Sequence, residues 1–339
     1  VDYVSYINDL LRPNHGPTNP VALDLFAGCG GLALGFEAVG IKTIGYEMDV
    51  SAAESYRRNL NSECTTIKLD TDFEYPTAQI IIGGPPCQPF SVGGEQKGMA
   101  DARDGFPIFL DALRKVRPKV FMFENVRGLL YANKWYFDLI LDEIRTLGYL
   151  IDFRLLNAVN HGVPQNRERL FVVGHRSSFE FPRSSPRSFS VVDAIGDTMS
   201  LSYPDSKFLT ASMDAYIAKY EKASSCINPR DLYPDKPART LTCRNLAGAT
   251  GDMQRVRLPD GRRRRITVRE AARLQSFPDW FEFTGNETSQ YNQIGNAVPP
   301  LLAYSLATAV KETFFRPEIY SAPEIVQSNF QPNKVLSLF

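Results

Sequence analysis

Two hydrophobic periods alternate along the first half of the chain. Short apolar, β-rich runs read as buried strands: VALDLF (21–26), KTIGYE (42–47), TIKL (66–69), AQIII (78–82) and KVFMFEN (119–125). Between them lie segments with helical spacing. GLALGFEAVG (31–40) ends at a glycine, and SAAESYRRNL (51–60) offers Ser51 as an N-cap. GFPIFLDALRKV (105–116) and WYFDLILDEIRTLG (135–148) are amphipathic. YLIDFRLLNA and RLFVVGH supply late strands. Strand–helix alternation of this kind predicts an α/β fold, a doubly wound and mostly parallel sheet with helices on both faces.

The alternation stops after His175. Residues 176–206 are rich in Ser, Pro and Arg, and short elements continue to about residue 285. This pattern predicts a smaller, irregular second domain. QYNQIGNAVPPLLAYSLATAVKETFF (290–315) reads as a loop followed by an apolar helix. The expected division is 1–175, 176–285, a returning segment 286–315 and a tail 316–339.

Two turns between these elements carry chemistry. DLFAGCGGLALG (24–35) is a strand, a glycine-rich turn and a helix. Such a turn lets backbone approach a ligand, and the helix start adds partial positive charge. Gly28-x-Gly30-x-x-Ala33, with Glu47 downstream, fits a loose dinucleotide fingerprint, which by itself also suits a nicotinamide oxidoreductase. Glu47 at a strand end can hold both hydroxyls of a ribose, and Asp70 can accept from an adenine amine. The second turn is GGPPCQPFS (83–91), which sets Cys87 at the carboxyl end of a strand. Prolines on both sides fix φ, so the thiol is rigidly aimed and is a candidate nucleophile; the bland reading is a buried structural cysteine.

Composition narrows the class. Hydrophobic residues make up 43% of the 339 residues, ordinary for a globular chain, and no stretch has the length of a membrane span. Five cysteines without a CxxC pair point to reduced thiols in a cytoplasmic compartment, and three unpaired histidines argue against a metal site. Net charge is zero, but Arg255, Arg257, Arg262, Arg263, Arg264, Arg265, Arg269 and Arg273 fall in one short stretch. Such a block is either a solvated face or the footprint of a nucleic-acid surface.

Three more runs join Cys87: ENV (124–126), QNRER (165–169) and QIGNAVPP (293–300). Glu124 ends a buried strand, where a carboxyl is expected to hold its proton and to act as an acid. Arg167 and Arg169 alternate as on an extended strand, a pattern that can present two guanidinium forks to an anion. With REAARLQSFPD (269–279), these runs make the chain resemble the DNA cytosine C5-methyltransferases of bacterial restriction–modification systems, from about residue 21 to 313.

That resemblance implies a Rossmann-like, S-adenosylmethionine-dependent catalytic domain and a target-recognition domain within 176–268. It implies Cys87 as the nucleophile on cytosine C6 and Glu124 at N3 and the exocyclic amine. Arg167 would support that site, with Arg169 beside it. Phe26, Gly28, Gly30, Glu47, Met48, Asp70, Thr71, Pro86, Asn296 and Ala297 would line the donor pocket. Gln88 and Ser91 would meet DNA, as would Arg244, Arg255 and Arg257. No metal is implied. The partner is double-stranded DNA read over about four to six base pairs, a monomer suffices, and a cognate restriction endonuclease is the functional counterpart. A flipped nucleotide is required, and 91–105 suits a lid. Alternatives are a transfer-RNA cytosine C5-methyltransferase, a catalytically silent DNA-binding relative and the oxidoreductase.

Overall fold

A computed structural model describes residues 2–14, 20–86, 104–223, 231–248 and 251–317. Its strands are β1 (Val21–Leu25), β2 (Lys42–Glu47), β3 (Cys64–Thr66), β4 (Ile80–Gly83), β5 (Val120–Val126), β6 (Leu150–Asn157), β7 (Gln165–Asn166), β8 (Glu168–His175), β9 (Ala238–Arg239), β10 (Arg255–Arg257) and β11 (Arg263–Arg265). The helices are α1 (Tyr3–Leu10), α2 (Gly31–Ala38), α3 (Val50–Asn59), α4 (Phe106–Val116), α5 (Gly128–Tyr131), α6 (Lys134–Thr146), α7 (Val191–Met199), α8 (Ala211–Ala223), α9 (Cys243–Ala247), α10 (Val268–Leu274), α11 (Glu287–Asn296) and α12 (Pro300–Phe315).

A seven-stranded sheet in the order β3-β2-β1-β4-β5-β8-β6 organises the molecule. Pairing is parallel from β3 to β5, and β8 runs antiparallel between β5 and β6. Both faces are covered, as the apolar runs require. Ile81, Phe121 and Phe123 face α4 and α6, while Ile80, Ile82, Val120 and Met122 join the cluster that holds α2 and α12. Each such side chain removed from water contributes roughly 1.5–3 kcal/mol. Glycine sets the closest approaches. A Cβ on Gly35 of α2 would lie 2.4 Å from the Ala303 backbone of α12, and one on Gly83 would lie 2.4 Å from the Leu25 carbonyl.

Three local expectations are corrected. The cap of α3 is Asp49, whose side chain accepts from the Ala52 amide, and Ser51 lies inside the helix. β3 is Cys64–Thr66 rather than 66–69, because the Ile67 amide bonds the Glu47 carbonyl where β2 ends. The stretch 290–296 is helical, as part of α11.

Segment 176–285 is irregular: its β10 pairs with its β11, and its β9 pairs with β7 of the preceding segment. It does not keep a separate core. One apolar cluster runs from Ala33 and Phe36 through Ile195, Leu241 and Phe277 to Leu302. α1 joins in: Tyr3 donates to the Arg273 carbonyl at 2.8 Å, and Asn8 takes the Asp279 amide at 2.7 Å.

The arginine block is mostly internal, so it is neither the solvated face nor the single nucleic-acid footprint that were the two readings open to it. Arg264 is fully buried and donates to both oxygens of buried Glu270 at 2.8 Å. Glu270 also accepts from the Thr267 amide at 2.8 Å and the Thr198 hydroxyl at 2.9 Å. Arg273 pairs with Asp197 and Asp279, and Arg263 pairs with Asp214 and Asp231. Arg269 donates to the Pro278 and Phe281 carbonyls. Acids and carbonyls, some near in sequence and some far, thus neutralise or occupy these cations. Removing one partner of a buried pair strands the other charge, at about 3–5 kcal/mol. Glu270→Ala is therefore expected to lower the unfolding free energy by that amount, read as a fall in the urea midpoint; an unchanged midpoint would refute this account of the pair.

Candidate active site

Strand order reverses between β1 and β4, the position where an open parallel sheet leaves a crevice at its carboxyl edge. The turn after β1 forms one wall. Phe26 and Gly28 take positive φ, 59° and 55°, and Gly30 caps α2 at φ 91°. These glycines do different work. A Cβ on Gly30 would lie 2.4 Å from Leu60, so Gly30 is demanded by packing. Over Gly28 a Cβ would meet nothing within 4 Å, so the turn presents open backbone there.

Glu47 ends β2 and grips this turn. One carboxylate oxygen accepts from the Gly28 amide and the other from the Asp49 amide, both at 2.8 Å. A carboxylate has about four acceptor positions, so capacity remains for a ligand hydroxyl. Met48 beside it is 65% exposed, an apolar surface suited to a flat ring. Asp70 and Thr71 lie exposed beyond β3; the Asp70 carboxylate accepts from the Asp72 amide, and the Thr71 carbonyl takes Lys115. Pro86 and Phe26 converge on Gly105, where a Cβ would lie 2.4 Å from Pro86 and 3.0 Å from Phe26. Open backbone, a carboxylate and apolar walls fit an adenosine-type donor. Beneath the turn, Asp24 is buried with one oxygen unpartnered. Burial, with the Glu47 charge second, pushes its carboxyl well above the usual range.

β5 lies next to β4 and carries the other wall. Glu124 at its end is nearly buried, and its carboxylate is 2.8 Å from Arg169 Nε. Its second oxygen is 3.5 Å from where a Cβ on Gly84 would sit, so the carboxylate flanks the start of the GPPC turn. Asn125, which sequence reasoning left unassigned within ENV, donates to the Pro85 carbonyl at 3.0 Å. Parallel pairing of β4 with β5 thus holds the turn beside the acid. Cys87, Gln88, Ser91 and the expected lid up to residue 103 fall outside the described residues.

The two arginines of QNRER divide their work, which corrects the expectation of two forks aimed at one anion. Arg169 faces Glu124. Arg167 is buried and donates to the Leu241 carbonyl at 2.7 Å and the Gly295 carbonyl at 3.0 Å. Burial, then the Arg169 charge, push the proton affinity of Arg167 well below its usual value, and Glu124 acts the other way. Arg167 is therefore a positioning residue. Gln165 completes the clamp: it accepts from the Leu241 amide at 2.9 Å and donates to Gln275 and the Leu274 carbonyl. Gln275 in turn donates to the Ile294 and Ala297 carbonyls. The runs QNRER, REAARLQSFPD and QIGNAVPP thus meet in one buried hydrogen-bonded cluster. Gln165 and Gln275 were missed as structural keys because nothing in a sequence marks a glutamine as buried.

Thiols in the described residues are suppressed. Burial pushes Cys29 and Cys64 up to about 12 and raises Cys243. Among the expected DNA contacts, Arg255 is corrected: it has no exposed surface and pairs with Asp231 and Glu221. Arg257 is 60% exposed and bonded to Asp231, whereas Arg244 is 78% exposed and only 3.9 Å from Asp252. No group of three or more metal-ligating side chains occurs among the described residues, and none of their helices is long and apolar enough to cross a membrane.

A family model of the C-5 cytosine-specific DNA methylases matches residues 21–312. The chain is 54% identical over 333 residues to the type II methyltransferase M.AplI of Arthrospira platensis, covering 95% of this chain and 96% of the relative. It is 34% identical to M1.HphI of Haemophilus parahaemolyticus, covering 85% and 86% of the two chains. The Entamoeba histolytica methyltransferase EhMeth superposes with a TM-score of 0.67 at 17% identity, covering 87% of this chain and 98% of that one, and supports the fold alone. With the family match spanning the sheet, both walls of the crevice and the buried hydrogen-bonded cluster, the chain belongs to the C-5 cytosine-specific DNA methylases and is a DNA (cytosine-5-)-methyltransferase.

Proposed function

We propose that this enzyme methylates C5 of a cytosine turned out of a short specific duplex site, through a covalent bond between Cys87 and C6, and that the mark protects DNA from a cognate restriction endonuclease. The observation that carries the reading is the Glu124–Arg169 pair flanking the GPPC turn, within the family match. The division into a catalytic part (1–175 with 286–315) and a recognition part (176–285) belongs to the same proposal.

C5 of cytosine is a weak nucleophile inside an aromatic ring. Cys87, as thiolate, adds to C6 and places electron density on C5. Glu124 bonds N3 and the exocyclic amine, drawing electrons from C6 and stabilising the adduct. Arg169 orients Glu124. Bound S-adenosylmethionine supplies an electrophilic methyl on sulfur. Phe26, Gly28, Gly30, Glu47, Met48, Asp70, Thr71, Pro86, Asn296 and Ala297 hold that donor. C5 takes the methyl as the methyl–sulfur bond breaks, releasing the donor as its neutral thioether; the C5 proton then leaves to a base or water, the C6–sulfur bond breaks with Cys87 departing as thiolate, and aromaticity returns. Gln88 and Ser91 contact the opened duplex, and Arg244 and Arg257 contact the backbone or bases.

Cys87→Ser is expected to abolish methylation, read by bisulfite sequencing of DNA from expressing cells, while donor and duplex binding persist. Duplexes with 5-fluorocytosine at the modified position should trap wild-type enzyme as an adduct stable on a denaturing gel; absence of the adduct sinks the covalent mechanism. The two arginines should separate. Arg169→Lys, which keeps a cation beside Glu124 but loses the Nε donor, should lower turnover about a hundredfold with little change in thermal midpoint. Arg167→Ala should lower stability by about 3 kcal/mol, because two buried carbonyls lose their charged donor. Arg244→Ala should reduce the slope of log affinity against log salt by about one; an unchanged slope would remove Arg244 from the phosphate contacts.

A further inference from the structure

Asn296 ends α11, and its side chain is exposed. Its amide is held on one side only. The Cys243 thiol, at the first position of α9, donates to Asn296 Oδ1 at 3.0 Å and approaches the Asn292 carbonyl at 3.6 Å. With Oδ1 engaged as acceptor, Nδ2 points the other way, and no hydrogen bond to it occurs among the described residues. The two segments also touch through backbone. A Cβ on Gly295 would lie 2.5 Å from the Cys243 amide nitrogen and 2.8 Å from the Thr242 carbonyl carbon. Arg167 ties the same two segments through Leu241 and Gly295. Residues 241–243 and 295–296 therefore form one unit, which fixes the thiol relative to the amide.

We propose that Cys243 is a positioning residue for the methyl donor: its thiol sets the rotamer of the Asn296 amide so that Nδ2 faces the donor pocket. The inference rests on the reading of Asn296 as a pocket residue. A sulfhydryl suits this task. It is a donor small enough for the tight seam beside Gly295. The thiol makes no bond to substrate. Its contribution is one neutral hydrogen bond that selects among amide orientations, so its loss has the size of such a bond.

The experiment is calorimetric binding of S-adenosylhomocysteine to the full-length protein and four variants, with thermal midpoints measured alongside. Cys243→Ala is expected to weaken binding about three- to tenfold. Cys243→Ser keeps a donor and should restore affinity to within about twofold. Asn296→Ala should weaken binding, and Cys243→Ala combined with Asn296→Ala should be no weaker than Asn296→Ala alone, because both remove the same interaction. If Cys243→Ala lowers the thermal midpoint, Cys243→Val, closer in volume, takes its place. Wild-type affinity in Cys243→Ala with weakened Asn296→Ala overturns the inference and leaves the pocket reading standing. Equal weakening by the serine and alanine variants also overturns it, since packing rather than a donor would then be responsible. Wild-type affinity in Asn296→Ala removes the pocket reading, and the inference with it.

Discussion

One residue, Leu241, is held through both of its backbone polar groups. Its amide donates to Gln165 and its carbonyl accepts from Arg167, whose other arm reaches Gly295. Gln165 and Arg167 lie at the sheet edge just before β8, so the sheet sets where Leu241 sits, and Leu241 sets where α9 begins. Two carbonyl dipoles take the guanidinium's donors in a place where burial disfavours its charge. This clamp acts with the pairing of β9 to β7 in fixing segment 238–247 relative to Glu124. The acid at β5 and the cation at Arg244 are related through one buried side chain.

The same logic governs charge elsewhere. Eight arginines crowd 255–273, yet most are consumed by carboxylates and carbonyls brought in from 194–231 and 278–281. A buried ion pair adds little net stability but strongly penalises arrangements that leave either charge alone. These pairs thus select one arrangement of an irregular segment that has little sheet or helix to define it. What faces solvent among the three arginines expected at DNA is Arg244 and Arg257, with Arg244 the more exposed.

Sheet and crevice were legible because burial follows a period there. KTIGYE (42–47) matches β2 at both ends, and the strand-end placement of Glu47 and Glu124 follows from counting residues. Where polar residues are buried, periodicity failed. QYNQIGN reads as a loop, yet α11 buries Tyr291, Gln293, Ile294 and Gly295, with Gln293 satisfied by Ser55 and Thr284. Asp49 and Ser51 are both good caps, and the choice between them followed from Glu47 already gripping the Asp49 amide. Arg255 and Arg244 have the same residue type and opposite environments, because acids far away in the chain, Glu221 and Asp231, decide which is hidden. The same limit applied to Arg167 and Arg169, where alternation predicted nearness but not which carbonyls would claim the first.

The continuous apolar cluster has a consequence for protein engineering. Ile195, Leu241 and Phe277 share their packing with Phe36 of α2 and Leu302 of α12. A graft that exchanged 176–285 for the equivalent stretch of a relative would exchange half of a common interior. A workable chimera has to cut where few of those contacts cross, within the exposed stretch 200–206 and again before Ala238, so that Leu241 and its two grips travel with the host.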